Sequence, residues 1–477
     1  MKLTDQDIEA IARRIAFGQA VPAEDAQRVQ VQGPVSGAGM YHTIDEAVEA
    51  ARIAQRQWVQ LPLAKRRQII ATLRKVLMEH ATILAKSAHE ETGLGRWQDK
   101  VLKNELVIEK TPGIEDLQPT SFSGDFGFTL VEPAPFGVIG SITPTTNPTS
   151  TIICNTIGMI AAGNGVAFNV HPNAKRCSAE TVVLINNTIA AEGGPSTLIT
   201  TVFNPTIESA QALMRHEKVQ LVVVTGGPGV VRAAQQSGKR AICAGPGNPP
   251  AVIDETADIA RAANDLVEGA SLDNNIICVL EKEVVVVDAV ADNLIQEMQG
   301  QGAYLLTSDQ LQAMRRVIFK EERGPRRSAK MNPDVIGQNA NRLLAKIGVH
   351  APDDLKLIIA EVPEEHPLLW TEQLSPILPI TRVSNADRAI DLGIEMEGGR
   401  RHTAVMHSKH IDRLTRMARD CDCSIFVKNG RAVAGLGQGG EGYTSFTISS
   451  PTGEGLTGPR SFSRWRRCTL VDGFRIT

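Results

Sequence analysis

A chain of 477 residues suggests two to four structural units at the usual size of about 150 residues per domain. Fifty Lys+Arg against 53 Asp+Glu leave a net charge of −3, so no bulk field draws it to nucleic acid or to an anionic membrane. With 42% hydrophobic residues and no apolar run near the roughly 20 residues a bilayer requires, the composition excludes wholesale disorder and a membrane-spanning helix.

In chain order, Thr4 and Asp7 cap an amphipathic helix over residues 1–18, with Ile8, Ile11, Ala12 and Ile15 on one face. These residues are too charged for a secretory signal. Residues 19–41, rich in Gly, Pro and Gln, read as a linker, so the helix stands off the body or packs on its own domain. A capping box from Thr43 to Glu46 opens a long helical region that ends at Gly93. From Phe128 the pattern changes. FGVIGSIT, GVAFNVHP, LITTVF and VQLVVVTG are strands, separated by the helices STIICNTIGMIAAG, CSAETVVLINNTIAAEG and ESAQALMRH. Such alternation marks an α/β fold with a doubly wound parallel sheet. After Lys239 a second α/β unit follows, with strand-like runs in PAVID, KEVVVVD, DLKLIIAEV, SPILPITRV, RHTAVMHS and CSIFVKNG. The tail, SRWRRCTLVDGFRIT, alternates like an edge strand.

Three places combine a special backbone with reactive side chains. Thr143–Ser150 follows a strand, where doubly wound folds place ligands, and the Asn147 carboxamide there can donate to a developing oxyanion. Equally, Asn147-Pro148 can simply cap the next helix. Thr225-Gly226-Gly227-Pro228-Gly229 allows phosphate to approach backbone N–H groups at a helix start, although it is not G-x-G-x-x-G. Asp273-Asn274-Asn275-Ile276-Ile277-Cys278 is a polar turn leading to a thiol, beside the Glu281-Lys282-Glu283 cluster. Seven cysteines, an odd number with no Cys-x-x-Cys pair and no zinc-like spacing, predict reduced cytosolic thiols and no metal. Most are inert packing, and Cys278 is a candidate nucleophile.

Taken jointly, ITPTTNPTSTIICN, VVVTGGPGVVRAA, CAGPGNPPAVID, EGASLDNNIICVLEKEV, EQLSPILPI and GRRHTAVMH resemble the aldehyde dehydrogenase superfamily from about His42 to the C-terminus. Within it they are most similar to the CoA-acylating branch found in bacterial microcompartments. The resemblance implies a doubly wound nucleotide-binding domain over 42–240, with oligomerisation strands near 111–131. A catalytic α/β domain over 241–440 and a C-terminal oligomerisation segment over 441–477 complete it. It implies a short aliphatic aldehyde (propionaldehyde or acetaldehyde), coenzyme A and NAD as reactants, with NADP left open. Cys278 becomes the nucleophile and Asn147 the oxyanion donor. Thr145, His171, Pro172, Thr225, Gly226, Gly227 and Glu372 fall on the cofactor. Residues 1–18 resemble an encapsulation peptide for microcompartment shell or cargo proteins, and a homo-oligomer in the bacterial cytoplasm is expected.

Two departures from the family pattern carry weight. Cys243 stands where hydrolytic members place the glutamate that activates water, which favours acyl transfer to a thiol. His171-Pro172 replaces the usual Lys-Pro beside the adenosine ribose. The competing readings are a hydrolytic aldehyde dehydrogenase that releases free acid and a catalytically silent microcompartment scaffold.

Overall fold

The computed structural model describes residues 39–476, so the expected helix over 1–18 and most of the expected linker lie outside the described residues. The chain divides into two compact units. One takes the chain up to Glu91, Val101–Ala244 and the stretch from Thr444; the other takes Thr92–Lys100 and Gly245–Tyr443.

The first unit opens with strand β1 (Met40–Tyr41) and helix α1 (Ile44–Gln60). Thr43 Oγ1 accepts from the Glu46 N–H at 3.2 Å and Glu46 Oε2 from the Thr43 N–H at 3.1 Å, so the expected capping box starts α1. The segment read as linker ends in order: Met40 and Tyr41 pair in parallel with Thr201 and Val202 and complete a sheet edge. Helix α2 (Leu63–Thr92) follows, then α3 (Trp97–Lys110), which the periodicity argument passed over. The alternating region becomes β2 (Val138–Ile142), α4 (Pro148–Ala161), β3 (Gly165–Asn169), α5 (Lys175–Ala191), β4 (Ile199–Val202), α6 (Ile207–Arg215), β5 (Val219–Thr225), α7 (Pro228–Gln235) and β6 (Ala241–Ala244).

These strands form one parallel sheet in the order β1-β4-β3-β2-β5-β6. Every residue of β2 and β3 is buried, because crossover helices cover a parallel sheet on both faces. That is why these strands read as continuous apolar runs and not as alternation. From β2 the chain steps outward through β3 to β4, then returns to β2's other side for β5 and β6. This reversal is a topological switch point, and the crevice lies at its carboxyl-end side.

The second unit holds β7 (Pro250–Ile253), α8 (Ile259–Ser271), β8 (Glu283–Val287), α9 (Asp288–Gly300), β9 (Ala303–Leu305), α10 (Ser308–Ile318), β10 (Leu357–Glu361), β11 (Ile377–Val383), α11 (Ala386–Glu397), β12 (Thr403–His407), α12 (Ile411–Cys421) and β13 (Ile425–Lys428). Its sheet is also parallel, in the order β9-β10-β11-β8-β7-β12-β13. Val252, Val285, Ile358, Ile377, Leu392 and Met417 lie in its core.

A separate three-stranded antiparallel sheet in the first unit joins Thr120–Gly124, Gly127–Pro135 and Ser463–Val471. The tail strand lies at its edge, as its alternation predicted, with Trp465 and Val471 exposed. No helix among the described residues is long and apolar enough to cross a membrane.

Candidate active site

In the first unit, the predicted cofactor residues sit at the carboxyl ends of neighbouring strands. Thr145 follows β2, His171-Pro172 follows β3, and Thr225-Gly226-Gly227 closes β5. Gly227 is the N-cap of α7 without any side-chain bond to the helix, and a Cβ on Gly227 or Gly229 would meet nothing within 4 Å. The first turn of α7 thus keeps open space and uncapped N–H groups, the arrangement that accepts a pyrophosphate. Thr145 Oγ1 is buried without a hydrogen-bond partner among the described residues. These features fit a dinucleotide. His171 has a structural task as well: its Nδ1 accepts from the Asn173 N–H at 3.2 Å and caps the turn Pro172–Ala174. Burial lowers its pKa, so the ring is neutral.

Asn147 is the N-cap of α4 by position but makes no side-chain cap bond, so its carboxamide is not spent on the helix. Its Oδ1 accepts instead from Lys103 Nζ at 2.7 Å, and its Nδ2 donates to Thr146 Oγ1 at 3.1 Å. Both Asn147 and Lys103 are buried. A cation on the oxygen draws electron density from the amide and strengthens Nδ2–H as a donor. Lys103 lies on α3, the helix missed in the sequence, which is why the sequence reading left it out.

In the second unit, Cys278 follows a backbone that few sequences tolerate. Asp273, Asn274 and Asn275 are consecutive left-handed residues, with φ of 46°, 53° and 63°. Asp and Asn are the non-glycine residues that accept this region most readily, and their side chains hold it in place. Asp273 Oδ1 accepts from the Arg96 N–H at 2.7 Å and Oδ2 from Lys100 Nζ at 3.1 Å. Asn274 Nδ2 donates to Gly337 O and to Asn339 Oδ1, each at 2.8 Å. Asn275 Nδ2 donates to Ala270 O at 2.8 Å and Glu281 O at 2.9 Å. The Glu281-Lys282-Glu283 triplet is fully buried. Lys282 Nζ fills the inside of the loop and donates to Asn275 O at 2.8 Å, Ile277 O at 3.0 Å and Asn275 Oδ1. The signal in the sequence was its setting: a lysine between VL and VVVV is flanked by strand core.

Cys278 is half-buried. Burial pushes its thiol up to about 12, with the Glu372 carboxylate adding to the rise and the Lys282 ammonium opposing it. Lys282 is itself pulled down to about 8 by burial. Glu372 Oε1 accepts from the Gly247 N–H at 3.1 Å, and burial raises its pKa too. Gly247 is a close-approach glycine: a Cβ there would lie 2.4 Å from the Cys278 carbonyl oxygen and 3.2 Å from the His402 ring. His402 sits in the GRRHTAVMH motif and received no role from the sequence. It is buried, its Nδ1 pairs with Thr403 Oγ1 at 2.9 Å, and its Nε2 has no partner among the described residues. Burial and the Lys282 and Arg400 cations hold it down to about 3, so the imidazole is neutral and only a weak base at neutral pH. The second unit thus gathers a thiol, a cation, a carboxylate and a neutral base within a few residues' reach.

The aldehyde dehydrogenase family model matches residues 26–447. The chain belongs to the aldehyde dehydrogenase family. It is 46% identical over 477 residues to the acetaldehyde dehydrogenase (acetylating) EutE of Salmonella typhimurium, covering 99% of this chain and 100% of that one. Among solved structures, the propionaldehyde dehydrogenase of Rhodopseudomonas palustris, with bound CoA and an acylated cysteine, superposes with a TM-score of 0.89. Its identity is 48%, over 93% of this chain and 100% of the other. A propionaldehyde dehydrogenase from the fucose utilisation microcompartment of Clostridium phytofermentans gives 0.89 at 45% identity, over 92% and 100%. For an aldehyde dehydrogenase the state of Cys243 matters most. It lies in β6, fully buried, with its N–H donating to Thr452 Oγ1 at 3.0 Å. Burial, followed by the nearby Glu454, pushes its thiol up to about 11. It cannot serve as a base at neutral pH. Glu454, which the sequence reading did not single out, is the carboxylate in its surroundings.

Proposed function

We propose that this aldehyde dehydrogenase oxidises a two- or three-carbon aldehyde, acetaldehyde or propionaldehyde, and passes the acyl group to coenzyme A. The observation that carries this reading is the end-to-end likeness to an acetylating enzyme and to an enzyme with bound CoA and an acylated cysteine. The thiolate of Cys278 adds to the aldehyde carbon and gives a thiohemiacetal. Asn147, polarised by Lys103, donates to the oxyanion. A bound nicotinamide supplies the hydride acceptor, and Cys278 is left as an acyl thioester. The CoA thiolate then attacks the thioester carbonyl and releases Cys278, so the cycle is ping-pong. Glu372 would hold the nicotinamide ribose, and Thr145 with Thr225, Gly226 and Gly227 would hold the phosphates. His171-Pro172 borders the adenosine and selects between NAD and NADP, with NAD the expected partner.

The hydrolytic alternative lacks its base at position 243, where a buried thiol stands. Likeness to a microcompartment enzyme supports encapsulation in the bacterial cytoplasm, with residues 1–18 recognising a shell or cargo protein. NADH absorbance with propionaldehyde tests the reaction. Turnover should require CoA and should stop without it after about one NADH per site. Sustained NADH and free acid without CoA, at a comparable rate, sinks acyl transfer in favour of hydrolysis.

A further inference from the structure

Two thiols away from Cys278 in sequence are placed for chemistry of their own. Cys421 is the last residue of α12, and Cys423 stands two residues on, just before β13. Asp422 between them is left-handed, with φ of 49°, and this turn brings the two side chains to the same side. Their sulfurs lie 3.3 Å apart, and Cys423 Sγ is 3.5 Å from the Cys421 carbonyl oxygen. Cys421 is buried and Cys423 half-buried, so Cys423 is the more open of the two to a small oxidant. The turn is anchored to the backbone that leads into β12. The Ser424 N–H and Oγ both donate to Arg401 O at 2.9 Å, and the Ile425 N–H donates to His402 O at 3.1 Å. Arg401 Nε pairs with Asp422 Oδ2 at 3.2 Å, and the His402 N–H is held by Glu397 Oε1 at 2.8 Å.

We propose that Cys421 and Cys423 form a reversible intramolecular disulfide, a redox-modification site oxidised by hydrogen peroxide and restored by a dithiol reductant. Cys423 sulfur attacks one peroxide oxygen, the O–O bond breaks, and water leaves with the thiol's proton to give a sulfenic acid. Cys421 sulfur then attacks that sulfur, the S–O bond breaks and a second water departs. Two thiols and one peroxide become one disulfide and two waters. The sulfurs must close from 3.3 Å to roughly 2 Å, and the shift is taken up at Ser424 and so at the Arg401–His402 backbone. The Cys421 sulfur beside it, and then burial, hold the Cys423 thiol above its ordinary range. Oxidation therefore accelerates as the pH rises, because the thiolate is the attacking form.

The test uses the full chain carrying Cys278→Ser, which removes oxidation at the proposed nucleophile. After peroxide, iodoacetamide and trypsin, the peptide 420–428 should carry no alkyl group and be two hydrogens lighter, and dithiothreitol before alkylation should restore two alkyl groups. Hydrogen exchange at residues 424–426 should become several-fold faster in the oxidised protein. A Cys278→Ser, Cys423→Ser double variant should show neither change. The proposal is overturned if both thiols remain alkylatable after peroxide, if they end as sulfonic acids, or if the bond joins two chains. Unchanged exchange in a protein that does form the bond overturns the coupling to His402.

Discussion

Burial above all, and then the Glu372 carboxylate against the Lys282 cation, set when Cys278 reacts. With the thiol pushed up to about 12, little thiolate exists at neutral pH, so the acylation rate should climb with pH from 6 towards 8. Lys282 favours the thiolate only while charged, and it loses its proton near 8, so the climb should become shallower above that pH. Single-turnover NADH formation across pH 6–10 checks this, and a flat profile contradicts it. Cys278→Ala should abolish NADH production while leaving NAD binding within about twofold, because no residue of the first unit is altered. Retained activity within tenfold of wild type refutes the assignment. Lys103→Met should lower kcat/KM by roughly 10- to 100-fold, in keeping with a loss of oxyanion stabilisation. If Lys103 acts through Asn147, the same change on an Asn147→Ala background should cost almost nothing further. Additive losses in that double-mutant cycle would assign Lys103 a separate role.

The turn 273–275 and the buried triplet behind it form one device: three left-handed residues held by amides outside and an ammonium inside. Each such residue stores strain on the order of 1 kcal/mol, which its hydrogen bonds offset. Glu281 in the triplet has a pH signature. Burial raises its pKa from 4.5 to about 7, despite the Ala432 N–H donating to Oε1 at 2.6 Å. In acid both folded and unfolded chains carry it protonated. As the pH rises the unfolded chain ionises first, so the stability it contributes is present below about 4.5 and lost as the pH passes 7. Glu281→Gln should therefore gain stability relative to wild type between pH 5 and 8, by on the order of 3 kcal/mol at most. Denaturant melts at the two pH values measure it, and an equal offset at both contradicts the buried-ionisation account. The strand β6 carries a different consequence. Cys243 cannot activate water, so Glu454→Gln should leave the CoA-free stall unchanged; a faster or slower leak past the stall would implicate Glu454 in hydrolysis.

At the scale of the whole molecule, the three-stranded sheet leaves its tail strand as an open edge among the described residues. Its tail strand Ser463–Val471 forms an edge, and Phe122, Phe126, Trp465 and Val471 are exposed on the sheet or its turn. Long edges with apolar side chains recruit a partner strand, so a homo-oligomer built through this sheet is the proposed assembly. Replacing Val471 with Pro, which removes an edge donor, together with Trp465→Glu, should reduce the sedimentation mass while leaving the far-UV spectrum intact. An unchanged mass places the subunit contact elsewhere. Deleting residues 1–20 should leave kcat and KM within about twofold while abolishing co-localisation with shells, and loss of activity would make that segment part of the fold.

The alternating strands and helices from Phe128 on, the capping box at Thr43, the switch-point loops and the polar turn before Cys278 could be derived from the sequence, whereas helix α3 could not. Each is a local matter: apolar runs between glycine and proline punctuation, and polar residues at fixed offsets from a strand end. What the sequence could not settle were partnerships across long separations. Asn147 as a free carboxamide or a helix cap was undecidable until Lys103, 44 residues earlier, was seen on its oxygen. The sequence left the burial of the triplet 281–283 open, because burial depends on which strands enclose it, here β7 and β11 on either side of β8. Cys421 and Cys423 fail every spacing rule for a thiol pair, and only the left-handed Asp422 joins them. Local pattern determined the elements, because periodicity and turn chemistry act over a few residues. Tertiary structure decided the chemistry, because pKa values and hydrogen-bond partners are set by groups that the sequence keeps far apart.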